Sequence, residues 1–236
     1  MDIVLKYFSD FIPEQLQQLK LLEGLYKEWN EKINVISRKD IGSLYEKHVL
    51  HSLSIAAVFE FPDNSEIMDL GTGGGFPGIP LAIFFPQVKF HLVDSISKKL
   101  KVVEAVAEGI GLKNITIQHS RIEEVKNRKF DYVVSRAVAP LKDLWTWSKP
   151  LLKGRKSGVR SQESKVRGQE SIAQSTDIEL PAKDSGLLIK PGLICLKGGD
   201  LAVEIQVSGT RPRVVEIEGL FPEDFFKDKF LLYVSR

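Results

Sequence analysis

The stretch Ile67-Met68-Asp69-Leu70-Gly71-Thr72-Gly73-Gly74-Gly75-Phe76-Pro77-Gly78 decides the fold, because an apolar run ends there in a cluster of glycines. The run has the length and character of a buried strand. Glycines directly after it let the backbone turn sharply and approach a ligand with no Cβ in the way. Gly78 to Phe85 then reads as a helix whose first N–H groups face that ligand. As a bare pattern, Gly73-x-Gly75-x-x-Gly78 satisfies the dinucleotide fingerprint. A second apolar run, Lys89-Phe90-His91-Leu92-Val93, closes on Asp94, 21 positions beyond Gly73. A carboxylate there can accept both hydroxyls of a ribose. Two nucleoside ligands suit this arrangement, and these residues leave both open. A nicotinamide dinucleotide, the cofactor of an oxidoreductase, would set its pyrophosphate on the helix N-terminus. S-adenosylmethionine has no phosphate and needs room for a sulfonium and an amino-acid tail; Asp69, just before the turn, is placed to supply an acceptor for the ammonium of that tail, directly or through water. No Gly-Lys-Ser/Thr follows the turn, which excludes a P-loop.

Outward from the turn, short apolar runs alternate with helix-length connections. A helix is expected from Lys98 to Ile110, a strand at Ile115–Ile117, another from Phe130 to Ser135 and a fifth at Leu193–Leu196. This alternation predicts an α/β fold, a mainly parallel, Rossmann-like sheet with helices on both faces. Val214–Ile217 and Phe230–Val234 lie close enough in sequence to pair antiparallel. Before the sheet, Leu16, Leu19, Leu22, Tyr26, Trp29 and Ile33 fall at steps of three or four, one face of an amphipathic helix opened by Pro13. Asp40 is placed to cap a second helix through Tyr45, Val49, Leu53 and Ala56. Residues 1–62 therefore read as an N-terminal helical extension packed on the core, and 63–236 as the sheet domain.

Gly154 to Gly186 departs from this scheme, being poor in large apolar residues and carrying the near-duplicates Val159–Ser164 and Val166–Ser171. The composition predicts a disordered or loosely attached insertion at about 154–186. Across all 236 residues, 33 Lys and Arg against 31 Asp and Glu leave a net charge of +2, which excludes a histone-like binder but allows a local basic face. One cysteine, Cys195, rules out an internal disulfide and a cysteine-rich zinc site. No apolar run approaches the ~20 residues that cross a bilayer. The chain reads as cytoplasmic.

Further stretches carry a family resemblance: Asn34-Val35-Ile36-Ser37, His48-Val49-Leu50-His51-Ser52, Leu92-Val93-Asp94-Ser95, Ser120-Arg121-Ile122-Glu123-Glu124, Phe130-Asp131-Tyr132-Val133-Val134-Ser135-Arg136-Ala137 and Leu196-Lys197-Gly198-Gly199. With the glycine turn they resemble the small-subunit ribosomal RNA guanine-N7 methyltransferases, the glucose-inhibited division protein B family. The resemblance implies a class I S-adenosylmethionine-dependent methyltransferase that modifies N7 of a guanine in 16S ribosomal RNA. Its cofactor contacts would be Gly71, Phe76, Ile122, Glu123 and Arg136, with Asp94 on the ribose. A guanidinium such as that of Arg136, at the carboxyl end of a buried strand, can hold a carboxylate bidentately.

Guanine N7 carries a lone pair and no proton, so no general base is expected; the task is alignment and exclusion of water. RNA must be held by cations, and the candidates are Arg38 and Lys39 in the helical connector, Lys98, Lys99 and Lys101 after Asp94, Arg121, and Lys197. Lys98, Lys99 and Lys101 begin a helix, where cations oppose the dipole. His48 and His51 stand three apart, but no neighbouring Cys or HExxH-type carboxylate completes a metal set, so no metal is expected.

Overall fold

A computed structural model describes residues 1–136, 138–154 and 190–236; the expected insertion lies, beyond Gly154, outside the described residues. The expected strands are present as β1 (Glu66–Leu70), β2 (Lys89–Asp94), β3 (Ile115–His119), β4 (Tyr132–Arg136) and β5 (Gly192–Gly198). With β6 (Arg213–Glu216) and β7 (Lys229–Ser235) they form one sheet in the order β3-β2-β1-β4-β5-β7-β6. The pairs among β1 to β5 are parallel, while β7 runs antiparallel to both β5 and β6. The chain leaves β1 for β2 on one side and later places β4 on the other. That reversal opens a crevice beyond the carboxyl ends of β1 and β4.

Side chains alternate across each strand, and the core divides accordingly. Ile67, Tyr132, Val134, Ile194 and Leu196 face one apolar layer, and Met68, Val133, Leu193 and Cys195 face the other. On the first face lie α2 (Pro13–Lys32), α3 (His51–Val58), α4 (Gly78–Phe84) and α5 (Ser97–Gly109), which contribute Leu19, Leu22, Leu53, Leu81 and Val103. Leu141 and Leu144 of α6 (Leu141–Ser148) and the partly buried Ile205 of α7 (Ala202–Ser208) pack on the second. Pro13 sits in the first turn of α2, where its missing N–H costs nothing. Tyr26 of α2 is fully buried.

The second N-terminal helix is not a plain α-helix capped by Asp40. A short 3₁₀ turn, Ile41–Ser43, leads into one π-helical stretch, Tyr45–Leu50, which continues into α3. Asp40 makes no side-chain cap; its carboxylate instead accepts from Ser37 Oγ at 2.6 Å and pairs with Lys47 at 2.5 Å. The wide turn leaves the His51 N–H shared between the carbonyls of Glu46 and His48. π-Bulges of this kind collect at functional sites. Three short helices, α1 (Asp2–Tyr7), α6 and α7, have no counterpart in the sequence reading.

Candidate cofactor site

Beyond the carboxyl ends of β1, β2 and β4 lies a cavity of about 520 Å³, within the 300–1,000 Å³ typical of small-molecule sites. Gly71, Thr72, Gly73 and Gly74 form one wall, with Asp94, Ser95, Ile96 and Lys99 beside them. Ser120, Arg121, Ile122 and Glu123 follow β3; Val35, Phe76, Arg136, Val138 and Trp147 complete the lining. All six residues expected to hold the cofactor are thus brought together: Gly71, Phe76, Asp94, Ile122, Glu123 and Arg136.

The glycine turn is held from below and from the side. Asp69 is fully buried; its Oδ2 accepts from Thr72 Oγ1 at 2.6 Å and from the Gly78 N–H at 2.8 Å. Oδ1 is buried without a partner, and burial raises this carboxyl to about 7. Asp69 is not among the lining residues, and its Oδ2 braces the turn. Asp94 has a double role. Its Oδ2 accepts the Gly73 N–H and its Oδ1 the Ile96 N–H, both at 2.8 Å, and the residue also lines the cavity. Gly71 has φ +69°, and a Cβ added there would lie 2.7 Å from Val138 Cγ2. Only glycine allows both that backbone and that contact.

The opposite wall comes from the N-terminal helices. Tyr26 Oη donates to the Gly74 carbonyl at 2.7 Å, and its ring stacks on Phe76 with centroids 5.0 Å apart. Val35 packs against Gly74, close to where a Cβ would stand (3.0 Å). Asn30 Oδ1 accepts the N–H groups of Val35 and Ile36, which fixes the connector after α2. The His48 ring lies 5.1 Å from that of Phe76, and Arg136 sits over the same ring at 4.9 Å. Arg136 Nη2 donates to His48 Nδ1 at 3.0 Å and Nη1 to the Lys47 carbonyl at 3.4 Å. Burial lowers the guanidinium to about 10, still charged at neutral pH. Burial, then the charge of Arg136, lowers His48 to about 4. His51 is packed edge-on to Phe225 and Phe226, and burial lowers it to about 3. Tyr26, Val35 and Trp147 did not emerge as site residues from the sequence: Tyr26 shows only as one position of an amphipathic face, Val35 only within a stretch that carries the family resemblance, and Trp147 in no expected element.

The expected RNA-facing cations separate into groups. Lys99 and Arg121 line the cavity. Lys98 and Lys101 are exposed on α5, away from the cavity lining. Arg38 and Lys39 are exposed in the turn three and four residues beyond Val35 and are not part of the cavity lining. Lys197 is a correction: its side chain is 9% exposed and pairs with Glu204 at 2.6 Å. It also donates to the Ala139 carbonyl, while Glu204 accepts the Leu141 N–H at 2.6 Å. A buried ammonium must be matched by such partners, so Lys197 clips the segment after β4 and is withdrawn from the RNA-facing set. Among the described residues no cluster of His, Cys, Asp and Glu is built to hold a metal.

The residues present fit an adenosyl ligand with an amino-acid tail: side-chain-free backbone along the turn, carboxylate acceptors at Asp94, an apolar surface at Ile122 and a cation at Arg136. Strand order, the antiparallel β7 and the glycine turn beside Asp94 define a Rossmann-like class I methyltransferase. Residues 15–169 match the GidB family, rRNA small subunit methyltransferase G, and the chain belongs to it. It is 48% identical to ribosomal RNA small subunit methyltransferase G of Phocaeicola vulgatus, over 100% of this chain and 98% of the relative. The protein of the same name from Cytophaga hutchinsonii is 45% identical over 99% of both chains. Among solved structures, a mutant of MtNAS in complex with S-adenosylmethionine shares the fold with TM-score 0.53 and 13% identity, covering 92% of this chain and 74% of that one.

Proposed function

We propose that this protein transfers a methyl group from S-adenosyl-L-methionine to N7 of a guanine in 16S ribosomal RNA. The observation that carries the reading is the cavity beyond β1, β2 and β4, where the glycine turn, Asp94, Ile122 and Arg136 meet in a chain of the rRNA small subunit methyltransferase G family. The bound cofactor supplies a methyl group already activated on a sulfonium. Asp94 accepts from the ribose hydroxyls, Ile122 and Glu123 border the adenine, and Arg136 holds the carboxylate. Phe76, fixed between Tyr26, His48 and Arg136, gives the reacting end a rigid apolar wall. Guanine N7 needs no deprotonation, so the residues contribute orientation and exclusion of water. Lys99 and Arg121 at the cavity, with Arg38 and Lys39 on the connector, face the RNA phosphates.

The partner is small-subunit ribosomal RNA, free or in an assembling subunit, and the compartment is the cytoplasm. No helix among the described residues is long and apolar enough to cross a membrane. The test is transfer of labelled methyl to 16S RNA and to small-subunit particles, followed by borohydride and aniline cleavage, which cuts the strand at N7-methylguanine. Label with a cut at one guanine is expected; label without any cut assigns a different target atom and overturns the N7 reading.

A further inference from the structure

His48 belongs to the N-terminal segment, yet it touches the guanidinium of Arg136, a residue of the cavity lining. Arg136 can only donate, so the lone pair it meets on His48 Nδ1 fixes the tautomer with the proton on Nε2. That Nε2–H is buried and has no partner. An unpaired buried donor is costly, whereas an apolar ring of similar shape would avoid the loss. Packing on Phe76 therefore does not account for a histidine at this position; an acceptor at Nδ1 does.

We infer that His48 is a positioning residue, whose Nδ1 holds the Arg136 guanidinium over Phe76 in the orientation that receives the carboxylate of the methyl donor. The π-helical stretch explains how a residue of the N-terminal helices arrives there, since its wide turn brings both the Lys47 carbonyl and His48 Nδ1 to the same guanidinium. Phe76 is gripped between the two, at 5.1 Å from the His48 ring and 4.9 Å from the guanidinium carbon. Burial keeps the imidazole neutral at physiological pH, so its lone pair stays available. The inference rests on the reading of Arg136 as the carboxylate-binding residue.

The experiment compares His48→Phe, which keeps a ring on Phe76 but has no acceptor, with His48→Asn, which loses the ring but can present an oxygen near the place of Nδ1. Affinity for S-adenosylmethionine is measured by calorimetry, alongside kcat, KM and thermal melting. His48→Phe is expected to bind about tenfold more weakly, the range for a lost bond to a charged group. His48→Asn should stay within about threefold of the parent despite a lower melting temperature. If His48→Phe does not fold, His48→Leu serves the same comparison. An Asn variant as weak as the Phe variant overturns the inference, because packing would then be the whole role. Each change is repeated on Arg136→Ala. There His48→Phe should cost no further affinity, and an undiminished effect would show that His48 does not act through Arg136. Parent-like affinity in Arg136→Ala alone would instead remove the carboxylate-binding reading of Arg136, a separate failure.

Discussion

The two walls of the cofactor cavity are made in different ways. The glycine wall is local: one turn between β1 and α4, braced by Asp69 three residues before Thr72 and tied by Asp94 at the end of the neighbouring strand. The N-terminal wall is assembled from distance, with Tyr26 reaching Gly74 across 48 positions and Arg136 reaching His48 across 88. The first wall presents backbone and carboxylate to a ligand; the second presents rings and a guanidinium. A local turn tolerates little change in itself. A wall made of separate pieces can lose one piece and keep the rest.

Gly71→Ala should break the glycine wall hardest. The new Cβ would stand 2.7 Å and 2.8 Å from the two Val138 methyls, on a backbone with φ +69°. Either the turn or the segment after β4 must move, and cofactor affinity should fall about a hundredfold or more, since such displacement removes several contacts at once. Gly111 is the control, having the same φ of +69° but nothing within 4 Å of an added Cβ. Gly111→Ala should lower the melting temperature through backbone strain alone and leave calorimetric affinity unchanged. Equal effects on affinity would mean that strain, not the occupied space beside Val138, governs the turn.

Asp94→Ala removes the acceptors proposed for the ribose and also frees the Gly73 and Ile96 N–H groups. A loss of about 1.5–3 kcal/mol, tenfold to hundredfold in affinity, is expected. Parent-like binding of the methyl donor by a folded variant would falsify the placement of the ribose. Tyr26→Phe tests the other wall. It deletes one hydrogen bond to Gly74 and keeps the stack on Phe76. A net loss of about 1 kcal/mol, roughly fivefold in affinity, should follow if the helical extension holds the turn in its binding shape. A fall in melting temperature with affinity untouched would make the N-terminal wall scaffold only.

The difference between the walls is also the difference in what could be read from the sequence. Strand, glycines and Asp94 lie within one βαβ unit, so spacing alone recovers them. Tyr26 shows only as one position of an amphipathic face, because periodicity says that a residue is buried but not against what. The π-helical stretch at Tyr45–Leu50 is invisible for a related reason: its wider turn is imposed by packing and has no apolar repeat of its own. Helices α1, α6 and α7 span six to eight residues, too few for a repeat to register. Missing α7 is what misplaced Lys197, whose partner Glu204 stands on that helix. A cation after an apolar strand looks exposed until its counter-charge is known.

The two walls should answer acid in opposite senses. Asp69, under the glycine turn, is raised by burial from 3.8 to about 7, so the folded protein takes a proton there that the unfolded chain does not. Its contribution is present below 3.8 and is lost as pH rises through 7. His48 and His51, in the N-terminal wall, are lowered by burial from 6.5 to about 4 and about 3. Their contribution is present above 6.5 and is lost as pH falls, because the unfolded chain takes the protons first. Between these limits the two histidines of that wall take up two protons on unfolding, against one released from Asp69. His91, also lowered by burial, acts in the same sense as the two histidines, so the parent should lose stability as pH falls. Urea melts of the cofactor-free protein from neutral pH downward measure that loss. His51→Phe removes one of the two protons and should flatten the curve. Asp69→Asn removes the opposing one and should steepen it, while the amide oxygen can still accept from Thr72 and Gly78. Surface carboxylates are common to all three proteins and cancel in the comparison. Three parallel curves would mean that neither wall contains the buried titrating groups assigned to it, and that acid acts on the surface alone.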